Sequence, residues 1–333
     1  MATATPERFG DYELVRRLGV GGMAETFLTI RRGPAGFEQR VCLKRILATF
    51  QDDPEFIQMF LREARLSALL HHSHIARVLD FGVAEGAHYL TLELIDGTDL
   101  RRVLAHLREH GETLSPELTA YVATALAFAL DFAHTADENG HAAGIIHRDV
   151  SPSNVLLSNA GEIKLSDFGI AKATNLPGSI QSGALKGKVA YMAPEYALGR
   201  HCDARTDLFS LGVLLYECLA GRRPFDGEND IETLDRARRG DHEPLEAAAP
   251  QAPTALVSAI ESLLKPVSAR RPPNAGAFLD LLAKAPPPPL ARRHLGELVR
   301  LTRQRSPGLV APGLASTRPA VTLRPRKRLP SRK

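Results

Sequence analysis

The stretch H-R-D-V-S-P-S-N at residues 147–154, together with S-D-F-G at residues 166–169, decides how this chain is interpreted. The two motifs place the oxygen-bearing side chains of Asp149, Asn154 and Asp167 at short spacing in a weakly patterned part of the sequence. Carboxylate and amide oxygens are the ligands that a magnesium ion prefers. Either motif alone could arise by chance, so the interpretation depends on what stands before and after them.

A lysine and a glutamate upstream form a candidate ion pair. Lys44 ends the strand-like segment V-C-L-K, where it shares a face with Cys42. We expect the helical segment that follows to be capped by Asp53 and to begin at the proline after it, and within it Phe60 and Glu63 fall on one face. Because a carboxylate on an apolar face needs a partner, we expect Glu63 to pair with Lys44. At this point a purely structural ion pair is the alternative.

A glycine-rich turn lies further upstream, in L-G-V-G-G-M-A-E-T at residues 18–26, between two strand-like segments. Glycines allow backbone N–H groups to approach an anion closely, as in loops that bind phosphate. A plain glycine-rich hairpin is the alternative. No Gly-Lys-Ser/Thr follows, and a strand rather than a helix comes next, so the turn is neither a P-loop nor a Rossmann turn.

The composition indicates an ordinary globular protein. The chain has 333 residues, of which 44% are apolar and 24% charged. It contains no apolar run of 18 residues, and its first residues lack the apolar core of a signal peptide. Its three cysteines have no C-x-x-C spacing, which argues against a disulfide framework or a zinc site. We therefore expect a cytoplasmic protein without a membrane span.

Hydrophobic patterning divides the chain into four parts. Residues 1–10 are interpreted as a loose N-terminal arm. Residues 11–95 contain short alternating segments separated by glycine turns, which predict a mostly antiparallel sheet with one helix. Residues 96–285 are mainly helical, and the segment D-L-F-S-L-G-V-L-L-Y-E-C-L predicts a buried central helix. Residues 286–333 begin with four prolines and predict a disordered tail.

The predicted tail carries most of the positive charge. It has twelve Lys and Arg against one acid, so the rest of a chain of net charge +4 has a net charge of −7. One amphipathic segment, H-L-G-E-L-V-R-L-T-R, interrupts the tail. Three interpretations of the basic tail stay open. It is a solvated end, it docks an acidic partner or the chain's own acidic body, or it contacts anionic lipid or nucleic acid. Without an aromatic residue or a folded motif, it predicts no specific nucleic-acid recognition.

In their order along the chain, these motifs resemble those of the eukaryotic-like (Hanks-type) protein kinases, especially the bacterial Ser/Thr members. The resemblance runs from about Asp11 to Leu282 and includes A-P-E at residues 193–195, Asp207 and Arg271. It implies an α+β, protein-kinase-like bilobal fold, with a β-rich N-lobe, a mainly helical C-lobe and ATP between them. The implied activity is ATP-dependent phosphorylation of serine and threonine in protein substrates, with autophosphorylation, in bacterial signalling. A nucleotide-binding pseudokinase scaffold is the alternative.

The resemblance also implies roles for the chemical groups of the first motifs. Lys44 would contact the α- and β-phosphates of ATP and pair with Glu63. Asp149 would accept the proton of the substrate hydroxyl, and Asn154 and Asp167 would hold Mg²⁺. These five residues are the predicted catalytic and metal-binding set.

By the same resemblance, further residues surround the nucleotide or support the C-lobe. Glu195 and Arg271 would form a buried ion pair, and Asp207 would brace the backbone of the catalytic loop. The predicted nucleotide-binding residues are Leu18, Gly19, Val20, Gly21, Gly22, Ala24, Thr26, Cys42, Lys44, Leu92 as gatekeeper, Glu93 to Ile95 as hinge, and Leu156.

The chain departs from the family pattern at several positions. Ala24 replaces the third glycine of the loop, and Cys42 replaces an alanine, where we favour a small apolar filler over a redox role. Ser151 replaces the lysine that most Ser/Thr kinases place two residues after the aspartate. Lys188 stands where these kinases usually have a threonine, and we hypothesise that it supplies the missing charge. A solvated lysine in a slow enzyme is the alternative.

The sequence also predicts a regulatory site. Arg148 precedes Asp149, and in the family this arginine often binds a phosphorylated activation loop through bidentate hydrogen bonds. The candidate phosphorylation sites are Thr174, Ser179 and Ser182, of which the two serines are preferred. Ordinary loop hydroxyls are the alternative.

Overall fold

The structure is a computed structural model that describes residues 7–21, 23–138, 141–142, 144–168 and 189–305. These residues form a β-rich N-lobe followed by a mainly helical C-lobe, as the sequence predicts.

The N-lobe is built on a six-stranded antiparallel sheet with the strand order β1-β2-β3-β4-β6-β5. Its apolar face encloses a small core that includes Leu43 and Ile46, which are almost completely buried. The strands are β1 (Glu7–Phe9), β2 (Tyr12–Val20), β3 (Ala24–Arg32), β4 (Glu38–Ile46), β5 (Val78–Ala84) and β6 (Ala87–Glu93).

The prediction of a loose N-terminal arm is wrong for residues 7–9. These residues form the edge strand β1, in which Phe9 pairs with Tyr12. The Phe9 side chain is 1% exposed and packs edge-on against Tyr89, with ring centroids 5.6 Å apart. Burial of an aromatic side chain fixes the strand, because it removes a large apolar area from water.

The N-lobe helix α1 (Pro54–Ala68) begins where the sequence predicts. The Asp53 carboxylate accepts hydrogen bonds from the backbone N–H groups of Glu55 and Phe56, which have no partner within the helix. The helix buries Phe60 and Glu63, so it carries a carboxylate into the interior.

The C-lobe packs its helices around the long central helix α5 (Ala204–Ala220). Asp203 caps α5 by accepting the Arg205 N–H, and Gly221 ends it in the left-handed conformation at φ 71°. As predicted, α5 is buried almost all round, including Cys218. The helices are α2 (Leu100–Glu109), α3 (Pro116–Thr135), α4 (Pro194–Ala197), α5 (Ala204–Ala220), α6 (Asp230–Arg239), α7 (Leu245–Ala248), α8 (Thr254–Leu263) and α9 (Ala275–Leu282).

Helix α3 is the second core helix of the C-lobe. Within the described ranges it alone has the length and apolar composition of a membrane span. Most of it is buried inside the lobe, and a core helix of this length meets the same criteria. A hairpin of two short strands, β8 (Asp137–Glu138) and β9 (His141–Ala142), follows it.

A three-stranded sheet lies where the two lobes meet. It has the order β11-β10-β7 and consists of β7 (Gly97–Asp99), β10 (Val155–Ser158) and β11 (Ile163–Leu165). The strands pack so closely that a Cβ atom on Gly97 would lie 1.8 Å from the Leu157 carbonyl oxygen. The sheet joins the end of the N-lobe sheet to the segment that carries residues 147–154.

The prediction of a disordered tail from residue 286 is wrong for residues 291–305. They form helix α10 (Ala291–Arg305), which contains the amphipathic segment noted in the sequence. Ala291, Leu295 and Val299, four residues apart, are buried against the C-lobe. Burying one leucine or valine side chain contributes about 1.5–3 kcal/mol, which holds the helix in place. The folded unit therefore continues beyond the predicted boundary at 285, and residues 306–333 lie outside the described residues.

Candidate active site

The predicted ion pair of the N-lobe is confirmed. Lys44 Nζ lies 2.7 Å from Glu63 Oε1 and 3.2 Å from Asp167 Oδ1. Strand β4 supplies the lysine, α1 the glutamate, and the segment after β11 the aspartate. All three side chains are at most 12% exposed. Through its two contacts, Lys44 thus joins the N-lobe helix to the motif at residues 166–169.

The electrostatics of this cluster keep the lysine charged. Burial alone would lower the pKa of Lys44, but the adjacent charges of Glu63 and then Asp167 outweigh it and raise the pKa above its ordinary value. The ammonium group is therefore protonated across the neutral pH range. A fixed cation held in this way is suited to bind phosphate oxygens.

The catalytic-loop residues are bonded to one another. Asn154 is 1% exposed, and its Nδ2 donates to Asp149 Oδ2 at 2.9 Å and to the Asp149 carbonyl oxygen at 2.8 Å. Its own carbonyl oxygen accepts the Ser166 N–H at 2.9 Å. Since Ser166 directly precedes Asp167, these bonds bring the residues of both motifs to one place.

Asp207 braces the backbone of the catalytic loop, as predicted. It is completely buried at the start of α5, and its carboxylate accepts the N–H groups of His147 and Arg148, each at 2.7 Å. Arg148 adopts the left-handed conformation at φ 62°, which a non-glycine residue rarely occupies. The buried carboxylate therefore holds the loop in a conformation that costs free energy.

A third contact of Asp207 was not predicted from the sequence. His134 Nε2, at the end of α3, lies 2.8 Å from Asp207 Oδ2. Burial alone would raise the pKa of Asp207, but the hydrogen bond and charge of His134 hold it below its ordinary value. A histidine at the end of an apolar helix was the only signal in the sequence, and it does not identify the partner.

The backbone at Asp167 is also held in the left-handed conformation, at φ 58°. The next residue, Phe168, is buried with its ring 4.5 Å from that of His147. His147 Nε2 in turn lies 3.0 Å from the Ser166 carbonyl oxygen. This packing fixes the direction in which the Asp167 carboxylate points, toward Lys44.

A cleft that is partly open to solvent lies next to Asp167. Six predicted nucleotide-binding residues line it, and Ala76, Ser166 and Asp167 complete the lining. Its mostly apolar walls suit an adenine ring. The predicted residues that the structure brings together here are Cys42, Leu92, Glu93, Leu94, Ile95 and Leu156.

Cys42 behaves as an apolar wall of this cleft. It is 6% exposed, and burial, followed by the charge of Asp167, raises the pKa of its thiol to about 12. The thiol is therefore protonated at neutral pH, which agrees with the predicted role of a small filler.

The glycine-rich turn is a β-hairpin between β2 and β3. Gly21 N–H donates to the Ala24 carbonyl oxygen at 2.7 Å and closes the turn, and Gly19 pairs with Thr26. Thr26 is completely buried opposite Lys44, and it does not line the cleft next to the hinge. The predicted residues in this hairpin are Leu18, Gly19, Val20, Gly21, Ala24 and Thr26, and Gly22 lies outside the described residues.

Ser151 stands at the position of the missing lysine, and its hydroxyl provides no positive charge there. It is 3% exposed, and its Oγ lies 3.0 Å from Ser153 Oγ. The other half of the hypothesis, Lys188, lies outside the described residues, as do Thr174, Ser179 and Ser182.

The predicted ion pair of the C-lobe is confirmed. Arg271 is completely buried in its side chain and donates to both carboxylate oxygens of Glu195, at 2.7 and 2.9 Å. Its remaining N–H groups donate to the carbonyl oxygens of Lys265, Arg205 and Pro266. All five donors of the guanidinium group are thus used.

The side-chain oxygens of Asp149, Asn154 and Asp167 fit a magnesium ion. Two carboxylates and one amide provide hard oxygen ligands, which Mg²⁺ prefers to nitrogen or sulfur. The bonds from Asn154 to Asp149 use its amide nitrogen, so its amide oxygen is the atom left to face a metal. Asn154 and Asp167 are therefore the residues that would hold the ion.

Comparison with known proteins gives a consistent result. Residues 12–279 match the family described as "Protein kinase domain". Over 281 residues the chain is 41% identical to the "Tyrosine-protein kinase MasK" of Myxococcus xanthus, covering 82% of this chain and 43% of that protein. Over 281 residues it is 36% identical to the "Serine/threonine-protein kinase PknA" of Mycobacterium tuberculosis, covering 82% and 61%. The chain thus spans about half the length of the curated relatives it matches.

A solved structure has the same fold. The crystal structure of the Mycobacterium tuberculosis PknI kinase domain superimposes with a TM-score of 0.62 at 29% sequence identity. The match covers 85% of this chain and 99% of that one. It supports the bilobal arrangement described above.

Proposed function

This chain belongs to the protein kinase family, and from that premise we propose that it is an ATP-dependent protein kinase acting on serine and threonine. It would transfer the γ-phosphoryl group of ATP to protein substrates in bacterial signalling. The observation that carries the proposal is the position of Lys44, paired at once with Glu63 and Asp167. This assembly joins both lobes around the cleft.

In the proposed reaction, the oxygen of the substrate hydroxyl forms a bond to the γ-phosphorus, and the bond from that phosphorus to the oxygen of ADP breaks. Asp149 accepts the hydroxyl proton, and Asn154 orients the Asp149 carboxylate through its hydrogen bond. Lys44 binds the α- and β-phosphates, and Glu63 keeps that lysine in place. Bound Mg²⁺, held by Asn154 and Asp167, would neutralise phosphate charge.

Lys188 remains our candidate for the missing charge near the γ-phosphate. The support is that Ser151 is buried and bonded to Ser153, so the position two residues after Asp149 offers no cation. We expect Lys188→Met to abolish transfer while leaving ATP binding unchanged, and Lys188→Arg to retain part of the activity. A fully active Lys188→Met enzyme would contradict this proposal.

Regulation by phosphorylation is a second part of the proposal. Arg148 would bind a phosphate on Ser179, Ser182 or Thr174, because guanidinium and phosphate form paired hydrogen bonds. Mass spectrometry of active protein tests this directly. Active protein without phosphate between residues 167 and 195 would contradict it.

The decisive experiment is autophosphorylation of the full chain with Mg²⁺ and γ-labelled ATP, beside Asp149→Asn and Ser151→Lys. Label on the wild type but not on Asp149→Asn supports a working kinase. No label on the wild type, with ATP binding retained and label on Ser151→Lys, would instead favour the pseudokinase scaffold.

Tyrosine is the second candidate acceptor. It is favoured by one observation, that a relative 41% identical to this chain is named a tyrosine-protein kinase. Phosphoamino-acid analysis of the labelled protein separates the two cases. Phosphoserine and phosphothreonine support the first proposal, whereas phosphotyrosine alone would replace it.

Location and partners beyond protein substrates are also proposals. We propose a cytoplasmic location because the reaction consumes ATP. Residues 306–333 carry seven of the tail's twelve Lys and Arg, so they are the part we propose to bind an acidic partner. Loss of that binding after removal of residues 306–333 would support it.

A further inference from the structure

Helix α10 lies outside the part of the chain that matches the kinase family, which ends at residue 279. Its arginines nevertheless bond to the C-lobe rather than only to solvent. Four of the five reach residues more than 100 positions away in the sequence. These contacts are Arg292 to Glu162 at 2.9 Å, Arg300 to the Asn159 carbonyl oxygen at 2.5 Å, Arg303 to Asp96 at 2.8 Å and Arg305 to His110 at 2.5 Å.

The backbone of α10 packs directly against the backbone of the turn between β10 and β11. A Cβ atom on Gly296 would lie 2.8 Å from the Asn159 carbonyl oxygen, and one on Gly161 would lie 1.7 Å from the Arg292 carbonyl oxygen. Both obstacles are backbone atoms, which cannot rotate aside. Gly161 also has φ 76°, a conformation that favours glycine. The fit therefore depends on one glycine from each side.

The same turn is tied to the hinge of the nucleotide cleft. Asn159 N–H donates to the Asp96 carbonyl oxygen at 2.8 Å, and Asn159 Nδ2 donates to Asp96 Oδ2 at 2.9 Å. Asp96 directly follows Ile95, which lines the cleft. Through Arg300 and Arg303, α10 thus holds both members of the pair that anchors the end of the hinge.

The helix also supports the floor of the cleft. It packs against β7, which follows Asp96, and against β10. Strand β10 carries Leu156, another residue that lines the cleft. The strand that carries Leu156 and the strand that follows the hinge therefore both pack against α10.

We propose that α10 is a brace for the nucleotide cleft, in which Arg300 and Arg303 are positioning residues that strengthen ATP binding through Asn159 and Asp96. The inference rests on the proposed function and deepens it. The Arg303–Asp96 pair is partly exposed, at 26% and 71%, and such a pair changes an equilibrium by up to about fivefold. Loss of both arginines acts on the two ends of one network and has a larger effect.

The experiment uses the full chain and the variants Arg303→Gln and Arg300→Gln/Arg303→Gln. The matched control is Arg293→Gln, which removes the same charge from the same helix but, among the described residues, breaks only a pair with Glu297 of that helix. The dissociation constant of Mg·ADP is measured by titration calorimetry, and KM for ATP and kcat are measured by phosphate transfer.

We expect the single variant to weaken Mg·ADP binding about two- to fivefold. We expect the double variant to weaken it about five- to tenfold, with a parallel rise in KM for ATP and an unchanged kcat. Arg293→Gln should match the wild type. A double variant that binds Mg·ADP as tightly as Arg293→Gln would overturn the inference, as would a lowered kcat with unchanged KM.

A second variant tests the brace without removing charge. Gly296→Val places side-chain atoms against the backbone of the turn and should lift α10 from it. A folded Gly296→Val chain with wild-type affinity for Mg·ADP would also overturn the inference. Nucleotide binding without transfer in the wild type would refute the proposed kinase activity alone, because the dissociation constants still decide whether α10 is a brace.

Discussion

Replacing Asp207 by asparagine removes the charge that holds the catalytic loop. The Asp207 carboxylate is completely buried and accepts three hydrogen bonds, from the N–H groups of His147 and Arg148 and from His134 Nε2. The asparagine amide offers one oxygen and one NH₂ group in the same space. At least one of the three donors must therefore face another donor.

The size of the effect follows from these contacts. A hydrogen bond to a charged group contributes about 1.5–3 kcal/mol, and a left-handed residue such as Arg148 costs about 1–3 kcal/mol to hold. We expect Asp207→Asn to lower the free energy of unfolding by about 3 kcal/mol. If the loop relaxes by the same free energy, Asp149 leaves its position and kcat falls about 100-fold.

The assay compares kcat at saturating ATP, the dissociation constant of Mg·ADP and urea unfolding followed by circular dichroism. Nucleotide binding should change little, because Asp207 makes no contact with Lys44. Asp203→Asn is the matched control, since it changes a carboxylate of the same helix to a residue that caps equally well. An Asp207→Asn enzyme with kcat within about threefold of the wild type would refute the reasoning.

Three further changes test other parts of the structure. Lys44→Met removes the fixed cation and should lower phosphate transfer at least about 100-fold in the label assay, and retained transfer would contradict its role. Arg271→Met leaves the Glu195 carboxylate buried without its main partner and should cost about 3–5 kcal/mol in urea unfolding, so a loss below about 1 kcal/mol would contradict that role. Burial opposes the charged form of His242, but Glu261 outweighs it and raises the pKa of His242, so the pair stabilises the fold below the ordinary histidine value and loses this as pH rises through the raised value. The cost of His242→Gln should therefore be larger at pH 6 than at pH 9 by about 1 kcal/mol, and an equal cost at both pH values would argue against the charged pair.

The parts of the site that the sequence predicted correctly share a physical cause. A buried charge needs a partner, so Glu63 on an apolar helix face predicted its pairing with Lys44. The start of α1 was predicted because Asp53 and the proline that follows it satisfy local rules of helix capping.

The parts that were missed depend on contacts between distant segments. The composition of residues 286–333 predicted a disordered tail, because the groups that bind α10, such as Asp96 and Glu162, lie far away in the sequence. Strand β1 is three residues long, too short for alternation to be recognised. His134 gave no local sign that it meets Asp207 across 73 residues.

The reactivity of the buried thiols reports how often the structure around each of them opens. Cys42 lies in the N-lobe core and Cys218 in the C-lobe core, whereas Cys202 is only half-buried. Burial raises the pKa of Cys42 and Cys218, and the thiolate is the form that reacts with alkylating reagents. Each buried thiol should therefore react slowly, at a rate set by how often its surroundings open, which are the cleft wall for Cys42 and the C-lobe core for Cys218. Bound nucleotide should slow the alkylation of Cys42 and leave that of Cys218 unchanged. The two alkylation rates therefore report separately on the nucleotide cleft and on the C-lobe core.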